Sequence, residues 1–322
     1  MTFTLVLVVY DPYDRFSHPR ALPAAIESIF TLEGDVDVVL VNNTDPAQAP
    51  LTSEYLKRLP EKYPRIRLIE LDRNYGCSGG FNRGIRALDN PGDILVYMSC
   101  DALIVDPKVL LKMGAVFGKH KKIGALHPLS IYEDSNEANV SRNWSFQAFL
   151  KVLDETGEDL KHLPAEPEGA IAAILEDIGR EKPGAMRVPL SQLPLTFYAV
   201  RKALFLELKG FNEEFIAGWE NIDFALRMYK LGYKSAIMKD AFVFHRRLLF
   251  RALGQAGQNQ QILLNDVRAG EAVWNRLWGG VPHADVFRDL RHGKLLHRGL
   301  LRPVRLLTQS MKRHLRGSHH ER

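Results

Sequence analysis

Four runs of β-branched and aliphatic residues dominate the first hundred positions: Thr4–Tyr10, Val36–Val41, Ile66–Leu71 and Ile94–Met98. Between them the pattern turns helical. Pro19–Phe30 places Leu22, Ile26 and Ile29 on one side, Glu54–Leu59 reads as a second helix, and Phe81–Leu88 as a third. Strands that stay apolar on both faces must be covered on both faces, and helices alternating with them supply the cover. The chain is therefore expected to be α/β, with a doubly wound, mostly parallel sheet flanked by helices. Ligands of such sheets sit outside the carboxyl ends of the strands. That directs attention to Tyr10 and Asp11, Asn42 and Asn43, Asp72 to Gly76, and Ser99 to Asp101.

Bulk properties narrow the class. With 322 residues, 46% hydrophobic and 25% charged, the chain suits a soluble globular protein of one large domain plus an appendage, or of two domains. The start, "MTFTLVLVVYDPYD", lacks a basic leader and reads as a buried strand rather than a signal peptide. Two cysteines, Cys77 and Cys100, give no disulfide framework or zinc pattern and point to a reducing cytoplasm. The charge is uneven. Phe287–Arg316 holds nine Lys/Arg and one Asp, a local +8 against +5 for the whole chain, so the other residues sum to −3. That excludes a general nucleic-acid-binding surface on the body. The tail interleaves basic residues with Leu295, Leu296, Leu300, Leu301, Leu306 and Leu307. It fits either a membrane-surface contact or a helix packed on the domain with a solvated basic face. The expected division is 1–250 for the sheet domain and 251–322 for a basic helical extension. The Glu-, Pro- and Gly-rich stretch 133–188 reads as a long excursion, with a short helix at Ile171–Ile178.

"NYGCSGGFNRG", Asn74–Gly84, has glycines that permit tight turns and close backbone approach. A helix N-terminus expected at Gly80–Phe81 would offer free N–H groups to an anion; packing of helix on sheet explains the same glycines equally well. It matches neither the nucleotide P-loop nor the dinucleotide fingerprint. The pattern resembles the family 2 glycosyltransferases of GT-A fold, nearest the rhamnosyltransferase- and galactofuranosyltransferase-like branch. Five blocks agree in order over residues 3–246: "LVLVVYDP", "VVLVNNTDP", "NYGCSGGFNRG", "LVYMSCDALIVDP" and the long block from Phe197 to His245.

The resemblance implies roles. Tyr10, Asp11, Asn42, Asp72, Asn74, Gly76, Gly80, Asn82 and Trp219 would line a nucleotide-sugar pocket, for a UDP- or dTDP-sugar. Asp101 would bind Mn2+ or Mg2+ at the donor diphosphate, with His245 completing the shell; hard cations favour such oxygens and Mn2+ tolerates imidazole. Asp106, before Pro107, reads instead as a cap. Family members carry a carboxylate pair where this chain reads "WENIDFALR", and one member of the pair removes the acceptor proton. Here Asn221 stands in that pair, and an amide cannot act as a general base at neutral pH. Glu220 is the first replacement, because it starts a helix; Asp223 is the second, and an i,i+4 pair with Arg227 would brace that helix. The enzyme so implied transfers sugar with inversion to a hydroxyl of a glycan or lipid-linked acceptor. The setting implied is surface-polysaccharide assembly at the inner face of a membrane. The alternative is a binding module of the same fold, with catalysis lost at Ser99 and Asn221. A nucleotidyltransferase would need a glycine- and Lys/Arg-bearing loop after the first strand, which "YDPYDRFSHPR" is not.

Overall fold

In a computed structural model of the chain, the structure describes residues 1–11, 21–132, 182–184, 186–187, 196–216, 218–245 and 257–280. The 171–178 helix, Arg246, Arg247 and the basic tail lie outside them, as does most of the 133–188 excursion. The chain divides into two compact units, Met1–Gly270 and Glu271–Arg322.

The first unit is built on a nine-stranded sheet. Its opening elements are β1 (Phe3–Val9), α1 (Ala21–Ile29), β2 (Val36–Asn42), α2 (Pro50–Lys62), β3 (Ile66–Glu70) and α3 (Gly76–Arg86). Then follow β4 (Ile94–Ser99), β5 (Ala102–Ile104), α4 (Val109–Lys119), β6 (Ile123–Tyr132) and β7 (Met186–Arg187). The last are β8 (Phe197–Arg201), α5 (Lys202–Glu207), α6 (Glu220–Lys230), β9 (Lys234–His245) and α7 (Gly257–Trp278). The strand order is β3-β2-β1-β4-β8-β6-β9-β5, and β7 pairs with β9.

β1 explains why its sequence is apolar throughout. Phe3, Leu5, Leu7 and Val9 point into a core with Leu22, Ile26, Leu56 and Phe117 from α1, α2 and α4. Val6 and Val8 point the other way, into a core with Phe81, Leu204, Phe224 and Met228 from α3, α5 and α6. Each face is covered, so alternation would leave polar groups buried. β1, β2, β3 and β4 are mutually parallel, as expected. Beyond β4 the sheet turns mixed: β8 runs antiparallel to both β4 and β6, β6 is parallel to β9, and β5 and β7 pair antiparallel with β9.

The glycine-rich helix starts at Gly76, not at Gly80–Phe81. Asn43 and Asn74 are the reason. Asn43 accepts a hydrogen bond from Tyr75 N at 2.9 Å, and Asn74 Oδ1 accepts from Gly76 N at 2.8 Å. These side chains satisfy donors at the helix entry and let it begin early. Gly76 is at φ +71, where an added Cβ would lie 2.3 Å from Ile216 O. Asp106 is not the helix cap expected: the N-cap of α4 is Lys108, and Asp106 sits in the turn before it, its Oδ1 accepting from Lys108 N at 3.0 Å.

Candidate active site

β1 and β4 are neighbours whose onward connections lead to opposite halves of the sheet. Their carboxyl ends form the switch point where an open α/β sheet leaves a crevice. Asp101 follows β4 there, and only 4% of it is exposed. β9 ends beside it, because β5 and β9 pair with Ala102 opposite His245. His245 Nε2 lies 3.2 Å from Asp101 Oδ1, and His245 Nδ1 lies 3.0 Å from Thr196 Oγ1. Thr196 holds the ring so that its other nitrogen faces the carboxylate. Burial alone would raise the Asp101 pKa, but the His245 charge and hydrogen bond outweigh it and hold the carboxyl below its ordinary value. Ser99 adds a weaker pull, although its hydroxyl meets no hydrogen-bond geometry.

Glu220 is the first residue of α6, as the sequence suggested, and 1% of it is exposed. Burial pushes its carboxyl up to about 7, partly offset by a backbone hydrogen bond. Its Oε2 is buried with no hydrogen-bond partner among the described residues. An acid placed so is costly unless a ligand uses it. The helix entry is also strained: Gly218 has φ +76 and Trp219, the N-cap, φ +73. A tryptophan in the left-handed region costs on the order of 1–3 kcal/mol and persists only where surrounding structure imposes it. Cys77 lies at the start of α3, where burial chiefly raises its thiol to about 11 and the charges of Glu220 and Asp101 add to it.

Asp223 has a different place. Its Oδ2 accepts from Arg227 Nε at 2.7 Å, the i,i+4 pair anticipated from spacing. Arg227 Nη1 in turn donates to Leu208 O at 2.7 Å and Gly210 O at 3.0 Å. Asp223 thus anchors a brace. Asn221 Oδ1 accepts from Ile222 N at 3.0 Å.

At the first strands, Asp11 is buried; it accepts from Thr52 Oγ1 at 2.8 Å, and its N–H donates to Thr44 Oγ1 at 2.8 Å. Tyr10 beside it is half-buried. Asn42 Oδ1 accepts from Thr44 N at 3.3 Å, an Asx turn. Asp72 is held low by the Tyr75 hydroxyl, which donates to it at 2.8 Å. Two residues named for the donor pocket are engaged elsewhere. Gly80 lies against the sheet, where a Cβ would come 2.6 Å from Val8 Cγ1. Asn82 donates to Phe211 O and Glu213 Oε1, each at 2.9 Å, and accepts from Phe211 N at 3.0 Å. Its amide fastens α3 to the 211–213 segment. Asn43 was among the strand-end residues singled out but carried no role there, and Cys77 and Thr196 were not singled out for the site. Asn43 stood in a turn-like "NNTDP", and Thr196 acquires its meaning only through long-range pairing.

Among the described residues no group of three or more His, Cys, Asp or Glu forms a metal cluster. No helix among them is long and apolar enough to cross a membrane.

Residues 13–171 match the family model for glycosyl transferase family 2. No curated protein matches the chain significantly. Similar solved structures include GalNAc-T7 with UDP, GalNAc and Mn2+, at 15% identity and TM-score 0.53, covering 76% of this chain and 43% of that one. S. aureus TarS 1-349 aligns at 13% identity and TM-score 0.49, over 86% of this chain and 74% of that one. The chain thus spans less than half the length of the GalNAc-T7 chain. From the family match and the sheet that carries it, residues 13–171 form the matched part of a family 2 glycosyltransferase domain, and the fold is GT-A.

Proposed function

We propose that the protein is an inverting glycosyltransferase in which Glu220 is the general base and the Asp101–His245 pair meets the donor diphosphate. The observation that carries this reading is Glu220 itself: a buried acid at a helix start, with a free oxygen and a pKa of about 7. A base works best when its pKa lies near the working pH. The acceptor hydroxyl would give its proton to Glu220 Oε2 as its oxygen attacks the anomeric carbon. The bond from that carbon to the diphosphate oxygen breaks, the electron pair leaves with the nucleotide, and the sugar is inverted.

Asp101 and His245 suit a divalent ion. Their facing atoms are 3.2 Å apart. Neighbouring ligands of an octahedral ion at about 2.1 Å are separated by roughly 3 Å. Two protein ligands suffice for a hard cation that also binds phosphate and water. When bound, Mn2+ or Mg2+ supplies charge stabilisation to the leaving diphosphate. Thr196 orients the imidazole, and Asp223 with Arg227 keeps α6 in register with the 208–210 turn. GalNAc-T7, with UDP and Mn2+ bound on the same fold, supports a nucleotide-sugar donor and a metal. Asp11, Asn42, Asp72, Asn74 and Gly76 are at the strand ends where the nucleotide would lie, with Tyr10 following β1 and Trp219 at the N-cap of α6.

The acceptor we propose is a glycan or lipid-linked hydroxyl in surface-polysaccharide assembly at the inner face of a membrane, with residues 251–322 as a basic extension. A panel of nucleotide sugars scored by thermal shift with and without Mn2+ tests the donor reading. A true donor raises the melting temperature by mass action, more so with metal. No shift with any donor would remove both the enzyme reading and that of an inactive binding module.

A further inference from the structure

The candidate active site occupies the carboxyl edge of the parallel strands. At the opposite edge lies a second concavity, of about 420 Å3. α3 starts at the ligand edge and runs back across the sheet, so Ile85, Arg86 and Leu88 at its far end form one wall. Phe205 and Leu206 of α5 and the following turn form the other. Lys202 N donates to Asp93 O at 2.9 Å, immediately before β4, which fixes the cavity at the strands' amino ends.

The lining is two-sided in chemistry. Ile85, Leu88, Phe205 and Leu206 give an apolar floor, and Leu206 is 58% exposed beside it. Arg86, Lys202 and Lys209 bring three cations against one acid, Asp89. Arg86 is partly neutralised by Glu213, and the Lys202 ammonium donates to Pro91 O at 2.7 Å. Lys209 makes no side-chain pairing among the described residues. Its backbone is held in place nonetheless: φ is +57, Gly210 follows at φ +73, and Arg227 grips the Leu208 and Gly210 carbonyls. A fixed turn presenting an ammonium with no side-chain partner among the described residues, beside the exposed Leu206 and the buried faces of Phe205 and Ile85, is a preorganised surface.

We propose that this cavity binds an amphipathic anion: a phosphate head against Lys209 and Lys202, with its first alkyl carbons on Phe205 and Leu206. Charge complementarity selects the anion and the apolar floor selects the chain attached to it. Both a soluble alkyl phosphate and an anionic lipid headgroup present that chemistry.

The test uses the full chain and hexyl phosphate, with inorganic phosphate as the head-only control. Hexyl phosphate is expected to bind saturably in the millimolar range or tighter, and inorganic phosphate more weakly. Lys209→Glu and Leu206→Glu change exposed side chains, so both should fold, as circular dichroism would verify. Each should weaken hexyl phosphate binding roughly fivefold or more. Asp101→Asn, at the other edge, should leave it unchanged. Co-sedimentation with phosphatidylglycerol vesicles separates the sources: loss of vesicle binding in both variants identifies a lipid head, and loss only with hexyl phosphate identifies a soluble ligand. Hexyl phosphate and vesicle binding both indifferent to Lys209 and Leu206, or hexyl phosphate displaced by UDP, would overturn the assignment.

Discussion

Glu220 carries a cost in the fold that its proposed role as base would explain. Its pKa is raised from the ordinary carboxylate value to about 7, so the folded state binds its proton more tightly than the unfolded chain. The stability this confers is present below pH 4.5 and is lost as pH rises through about 7. Above that, folding must bury a bare carboxylate, at a cost on the order of 3 kcal/mol. Glu220→Gln should therefore melt higher than wild type at pH 8 and near wild type at pH 4.5, as paired thermal scans would read. The catalytic effect runs the opposite way, since the amide cannot accept the acceptor proton. Asp223→Asn would instead weaken the Arg227 brace. Asp101→Asn should abolish the extra stabilisation that Mn2+ gives to a bound nucleotide, and should lower the metal-free melt at neutral pH, because the pairing with His245 that holds the carboxylate ionised is lost.

Single elements depend on a few polar ties. α3 is held at its start by Asn43, which donates to Asn74 Oδ1 at 3.0 Å and Gly76 O at 3.1 Å and accepts from Tyr75 N. Asn43→Ala leaves backbone groups without partners near the buried helix entry, at about 1–3 kcal/mol for each such group. A loss of about 2–4 kcal/mol in denaturant unfolding is the expected result. α6 is held by Arg227, whose planar fork serves a carboxylate and two carbonyls at once. Lysine has the charge but not the fork. Arg227→Lys should cost about 2 kcal/mol or more of stability, compared with near-neutral effects for exposed ion pairs. The same change should lower transfer, because α6 carries Glu220 at its first position.

Over the whole molecule, legibility followed the range of the interactions. The half built from β1 to β4 was readable, because strands covered on both faces leave continuous apolar runs and their helices follow locally. The start of α6, the Asp223–Arg227 pair and the end of β9 at His245 were readable for the same reason, being set by local spacing. The mixed half was not: Ser99 N meets Thr196 O at 2.9 Å, and Ala102 meets His245, across separations that no periodicity records. The glycine run misled about where α3 begins, since glycine marks both tight turns and close packing. Gly80 packs against Val8 of the sheet, and the Asn82 amide ties α3 to Phe211 and Glu213. The candidate pocket residues at the strand ends come from the rule that ligands gather there, which gives position and not role.

The central claim is that Glu220 takes the acceptor proton while Asp101 and His245 serve the diphosphate. The most direct test measures sugar transfer, or nucleoside diphosphate release, by wild type and Glu220→Gln with Mn2+ and a donor found by thermal shift. The account predicts that the variant still binds nucleotide and metal but turns over some 10²–10⁴ times more slowly. It also predicts that the wild-type rate rises with pH through about 7 as Glu220 ionises. Turnover by Glu220→Gln at the wild-type rate, with the same pH profile, would contradict it.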